Sequence, residues 1–252
     1  MARSIIAIAA FAGFALGCTV APATAQGIGA QLALDHLGAI ANGAYMAGDN
    51  LKFSLVGDGD NFLLRFDGNP EVFVLYPARV SLGGRVLKYD SGETALQVAG
   101  WGGMTLYTDA QPNGLPAVRT GDTIAPTPPN VSLGDMQNAA GDEAEHLAYM
   151  RGLRLNFTAD WGALAANSVM RAFAFDTLEN TVRGLDRFSI DAIGREALAH
   201  HLDMVMVATG GKPMIMLNAR TLVVTFNPGR GYEGRASSRA IARALHSVFP
   251  KK

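Results

Sequence analysis

The sequence predicts an α+β protein: an antiparallel β-meander of about six strands, followed by a helix-rich half that carries a late β-hairpin. Three observations predict it. Apolar residues alternate with period two from Leu51 to Thr108, with turn residues between the runs. Prolines crowd residues 109–135, at Pro112, Pro116, Pro126, Pro128 and Pro129. Beyond them the apolar spacing becomes helical, as on the face made by Trp161, Leu164, Ser168, Phe175, Leu178 and Val182.

Residues 1–25 precede the fold. Arg3 gives a short positive start, Ile5 to Val20 is apolar and uncharged, and Ala23-Thr24-Ala25 follows Pro22. This is the pattern of a secretory signal peptide cleaved before Gln26, and the run is too short to read as a membrane span. A second reading stays open. Ala15-Leu16-Gly17-Cys18 resembles a lipobox, which would make Cys18 the lipidated, membrane-anchored N-terminus. Cys18 is the only cysteine, so cleavage at Ala25 leaves a chain with no disulfide or thiolate chemistry and a stability that rests on its core.

Ile28, Leu32, Leu37 and Ile40 predict a helix over residues 28–46, ended by Gly48. Strands follow at 51–56, 61–66, 71–76, 85–89, 94–98 and 104–108, joined by Gly-Asp, Asp-Gly-Asn-Pro, Asp-Ser-Gly-Glu and Gly-Trp-Gly-Gly turns. Residues 109–135 read as an irregular connector. Asp142, Glu143 and Glu145 suit the head of a helix, Arg151 its tail and Gly152 its end. A strand over 153–157 and a long helix capped by Thr158 or Asp160 come next, then a helix opened at Ser189 and running toward Met204. The hairpin spans 214–217 and 221–226, and Ser237 caps the last helix. Together these make one α+β domain over residues 26–252.

Lys and Arg number 21 against 22 Asp and Glu, a net charge of −1. Loss of Arg3 with the signal peptide leaves −2, a balance that excludes the basic excess of a nucleic-acid binder. No phosphate loop, dinucleotide fingerprint, nucleophile elbow or His-Glu-x-x-His motif is present, and no cofactor is implied.

Four features carry possible chemistry. Asp90-Ser91-Gly92-Glu93-Thr94-Ala95-Leu96-Gln97-Val98 resembles the signature of aspartic peptidases, in which two aspartates share a proton and activate water. The resemblance implies Asp90 as one member of a dyad completed by a second subunit; the competing reading is a hairpin turn. Lys88 stands where that family has an apolar residue, and no second Asp-Ser/Thr-Gly occurs. Glu143-x-x-His146, and Glu196 with His200, His201 and Asp203, have spacings that metal sites use, but they read as ordinary helix faces, and no metal is assigned. Asp58-Gly59-Asp60-Asn61 begins like a calcium loop but lacks its glutamate, and reads as a turn. Arg235, Arg239 and Arg243, one turn apart, form a basic stripe suited to an anionic envelope component or another envelope protein. Trp101 and Tyr107 mark a candidate binding face on the meander.

The block Leu82 to Thr94, continuing through Trp101-Gly102-Gly103-Met104-Thr105-Leu106-Tyr107, and Phe226-Asn227-Pro228-Gly229-Arg230-Gly231-Tyr232 are similar to a domain-of-unknown-function family of exported proteobacterial proteins. The resemblance covers most of the mature chain and implies no activity, substrate or site residue. The expectation is an exported envelope protein with a non-catalytic binding or structural role; the alternative is a dimeric hydrolase built on Asp90.

Overall fold

The computed structural model describes residues 40–80 and 84–250. The signal segment, Cys18 and the predicted helix as far as residue 39 lie outside the described residues.

The strand-rich half is a closed barrel, which corrects the predicted open meander. Its eight antiparallel strands run in sequence order: β1 (Gly43–Ala47), β2 (Leu51–Asp58), β3 (Asn61–Phe66), β4 (Val72–Arg79), β5 (Arg85–Tyr89), β6 (Thr94–Val98), β7 (Met104–Thr108) and β8 (Gln111–Gly121). The six central strands are the six predicted; the two that close the barrel are not. β1 occupies the end of the stretch predicted as helix, where alternate burial of Gly43, Tyr45 and Ala47 is masked by the weak strand propensity of Gly and Ala. β8 lies inside the predicted proline-rich connector. Its prolines are tolerated because a strand can place proline where no N–H is required, and the Pro116 carbonyl accepts from the Gly48 N–H at 2.9 Å. Gly114, at φ 84°, serves an irregularity in the β7–β8 register; a Cβ there would stand 2.5 Å from Thr105 Cγ2. Pairing of β1 with β8 leaves the barrel without a free edge.

Inward side chains fill the barrel. Leu55, Leu64, Leu75, Leu87, Leu96 and Leu106 are fully buried, and a chain of rings runs Tyr45–Phe53–Phe66–Phe73–Tyr89 with centroids 5.3 to 6.3 Å apart. β4 is apolar on both faces for a physical reason. Phe73 and Leu75 point into the barrel, while Val72 and Val74, with Leu63 of β3, enter the core of the second half.

The second half contains α1 (Leu133–Arg151), β9 (Asn156–Ala159), α2 (Trp161–Ala166), α3 (Ser168–Phe188), α4 (Ala192–His201), β10 (Met204–Thr209), β11 (Met214–Asn218), β12 (Thr221–Phe226), a 3₁₀ segment (Pro228–Gly234) and α5 (Ser238–Val248). α1 begins earlier than its charge pattern predicts, at a reciprocal cap between Ser132 and Asp135, and ends at left-handed Gly152. The predicted long helix is broken at Asn167, whose side chain caps α3 by accepting from the Met170 N–H. The sheet order is β11-β12-β10-β9, with β10 parallel to both neighbours and β11 antiparallel to β12. α3 is the central helix. Phe173, Leu178, Val182 and Leu185 sit in the core, and Gly184 lets α5 approach so closely that a Cβ would meet Ile241 at 2.6 Å. No helix among the described residues is long and apolar enough to cross a membrane.

Candidate functional site

Up-and-down order puts the β1–β2, β3–β4, β5–β6 and β7–β8 turns at one end of the barrel. Four of the carboxylates in these turns, Glu71, Asp90, Glu93 and Asp109, lie where this end meets the start of α5. Ser237 donates to Asp90 from its N–H (2.8 Å to Oδ2) and from its Oγ (2.5 Å to Oδ1). Ser238 donates to Glu71 in the same way, at 2.7 Å from each group. Two barrel carboxylates thus satisfy the free N–H groups of the α5 N-terminus, where the helix dipole favours negative charge.

Arginines complete the junction. Arg235, 3% exposed, pairs with buried Asp176 of α3, donates to the Val72 carbonyl at 2.6 Å and stands over the Tyr232 ring. Arg239 bridges Glu93 at 2.7 Å and Asp109 at 2.6 Å, and its guanidinium lies 4.3 Å from the Tyr89 ring centre. Arg187 of α3 reaches Asp109 and the Ser238 hydroxyl. Burial pushes the carboxyls of Glu71, Asp90 and Asp176 above the usual range, against the opposing pull of their serine and arginine partners. Burial also lifts the Tyr89 phenol to about 12.

The sequence-predicted residues are therefore dispersed. Asp90 lies in the β5–β6 hairpin turn, closed by the Gly92 N–H to Tyr89 carbonyl bond at 2.8 Å; its carboxylate is half-buried and its side-chain partner is Ser237. Of the arginine stripe, Arg235 and Arg239 are drawn into the junction and Arg243 is exposed. Trp101 is 87% exposed at the β6–β7 turn, at the opposite end of the barrel, while half-buried Tyr107 donates to Gln97 on the barrel wall. Glu196 and His200 are exposed and 3.9 Å apart, and Asp203 pairs with Arg220. Among the described residues no cluster of three or more His, Cys, Asp or Glu is placed to hold a metal.

Beside this junction a cleft of about 810 Å³ separates the barrel from the second half. Tyr76, Pro77 and Lys88 of the barrel form one wall, Lys212 to Ile215 form the other, and Ala240 and Ala244 of α5 lie in the floor. The acidic groups in it are already engaged. Asp90 holds Ser237, and Glu233 accepts from Asn61 and pairs with Arg230 at 2.8 Å. Lys88 and Lys212 are exposed, and neither forms an ion pair among the described residues. A concave surface with apolar walls and two unneutralised cations is suited to holding an anionic ligand.

Sequence reasoning missed Lys212 as a site residue and noticed Lys88 only as a departure from a peptidase pattern. It missed Glu71 as well, whose one local signal is a charge beside the apolar run Val72 to Leu75. Residues 34–245 match a family model described as a domain of unknown function, DUF4908. No curated protein and no solved structure matches the chain.

Proposed function

We propose, from the premise that the chain belongs to the DUF4908 family, that it is exported and serves the bacterial envelope as a non-catalytic binding component, with the cleft as its ligand site. One observation carries the reading. Lys88 and Lys212 stand uncompensated on facing walls of the cleft, whereas Asp90 and Glu233, its only lining carboxylates, are both held by donors. A carboxyl acting as general acid or base must be free to exchange a proton with substrate, and both of these are engaged by donors. The filled barrel interior also supports a surface cleft over an internal ligand cavity. Export is supported by the uncharged run Ile5–Val20 and the Ala23-Thr24-Ala25 site after it.

The test is pelleting of the purified chain beginning at Gln26 with isolated Gram-negative envelopes. Lys88→Glu with Lys212→Glu is expected to cut the bound fraction about tenfold while leaving the melting temperature within a degree or two, since exposed charges contribute little to stability. Raised salt should weaken wild-type pelleting in the same direction. Unchanged pelleting of the double variant would remove the cleft as the ligand site.

A further inference from the structure

β11 is the outer strand of its sheet, with β12 on one side and no strand on the other among the described residues. Its sequence, Met214-Ile215-Met216-Leu217-Asn218, holds no charge and no proline, and its register with β12 runs without a bulge. Proteins ordinarily protect such an edge with one of those devices, because an unprotected edge accepts another strand. The turn to β12 has two residues, Ala219 and Arg220, so Asn218 and Thr221 form its closing, hydrogen-bonded pair. Alternation then makes Met216/Val223 and Met214/Thr225 the other bonded pairs. Ile215 and Leu217 are left with N–H and C=O directed away from β12, and Ile215 itself lines the cleft.

We propose that the cleft takes an extended peptide segment bearing acidic side chains, laid along β11 as a fifth strand of the sheet. This rests on the cleft being the ligand site and adds the class of ligand. The edge supplies backbone bonds to any extended chain, and the side chains around it select among chains. Lys212 at the head of β11 and Lys88 on the facing wall favour carboxylates. On the solvent side, Met214 and Met216, 38% and 42% exposed, continue through Val223 to Met206 in a patch with no charged residue, which would cover the apolar residues of the added strand. Toward α5 the cleft is lined by the small side chains of Ala240 and Ala244.

The experiment uses a fluorescently labelled synthetic peptide alternating valine and glutamate, titrated into the purified protein and followed by anisotropy. It should bind, while the valine–lysine peptide and a version with alternate backbone amides methylated should not. Ile215→Pro removes an outward N–H without touching the β12 ladder and is expected to weaken the acidic peptide about tenfold in protein that is still folded, its melting temperature lowered by the loss of the Ile215 side chain from the core. Lys88→Glu with Lys212→Glu should weaken it by about as much again. Equal binding of the methylated peptide, or undiminished binding to a folded Ile215→Pro protein, would overturn strand addition. Absence of peptide binding while envelope pelleting still depends on the two lysines would overturn this inference and leave the proposed function standing. Peptide binding with envelope pelleting indifferent to the lysines would do the reverse. Sedimentation of the protein alone supplies the remaining outcome: a dimer that Ile215→Pro dissociates would mean that the edge belongs to a second copy, and the acidic-peptide assignment would fall.

Discussion

Replacing Arg235 with alanine is expected to lower the stability of the folded protein by about 3–5 kcal/mol, the range found when one partner of a buried ion pair is removed. The Arg235 side chain is 1% exposed, and it is the counter-charge for Asp176, itself 11% exposed. Its loss leaves a carboxylate buried without a cation, and leaves the Val72 carbonyl at the barrel junction without its guanidinium donor. Guanidinium chloride titrations should show a lower midpoint with a slope close to that of the wild type. A second variant separates charge from packing. Arg235→Met combined with Asp176→Leu removes both charges and should recover most of the loss, because a buried pair exchanged for apolar residues is close to neutral. A cost below about 1 kcal/mol for the single change would mean that the pair contributes nothing to the junction.

The second large effect concerns Glu71 and pH. Its two oxygens accept from the Ser238 N–H and hydroxyl in a buried site, so Glu71→Ala strands two donors and is expected to cost about 2–4 kcal/mol. Glu71→Gln keeps an acceptor and removes a buried charge, and should cost little at neutral pH. Burial holds Glu71, Asp90 and Asp176 above the ordinary carboxylate range. The folded chain then binds these protons more tightly than the unfolded chain does. Their contribution to stability is full below the unfolded pKa and is lost as pH rises through the folded one. The melting temperature is therefore expected to rise as pH is taken from about 8 toward about 5. Exposed Asp135 and Asp203 act oppositely, since hydrogen bonds from Ser132 and from Arg220 hold them below the usual range, and their contribution is lost in stronger acid. Glu71→Gln should flatten the slope on the neutral side. Stability that instead falls steadily from pH 8 to 5, in wild type and variant alike, would contradict the placement of buried carboxylates at the junction.

The parts of the fold legible in the sequence were those governed by neighbours along the chain. The six strands from Leu51 to Thr108, the hairpin Met214–Phe226 and the Ser237 cap each announce themselves by alternation or by a local hydrogen-bonding residue. Barrel closure depends instead on Ala47 meeting Ala117 across some 70 residues, and neither β1 nor β8 has the β-branched content that would mark it. Asp-Ser-Gly at 90–92 was readable as a turn. That its carboxylate serves a helix cap 147 positions later was not, because no local pattern records it. The arginine stripe illustrates the same limit. Helical spacing holds for Arg239 and Arg243 of α5, but Arg235 lies ahead of the Ser237 cap in extended backbone, and whether each arginine meets solvent or an acid is decided by Asp176, Glu93 and Asp109 from distant segments.

Hydrogen–deuterium exchange of the purified protein, with and without isolated envelopes, tests the central claim most directly, because it reports where the ligand lands. The cleft reading predicts slowed exchange confined to residues 76–78, 88–90 and 212–217, with the strongest protection at the Ile215 and Leu217 amides. Protection centred on Trp101 and Tyr107 or on the exposed Arg243 face, with β11 unchanged, would contradict it.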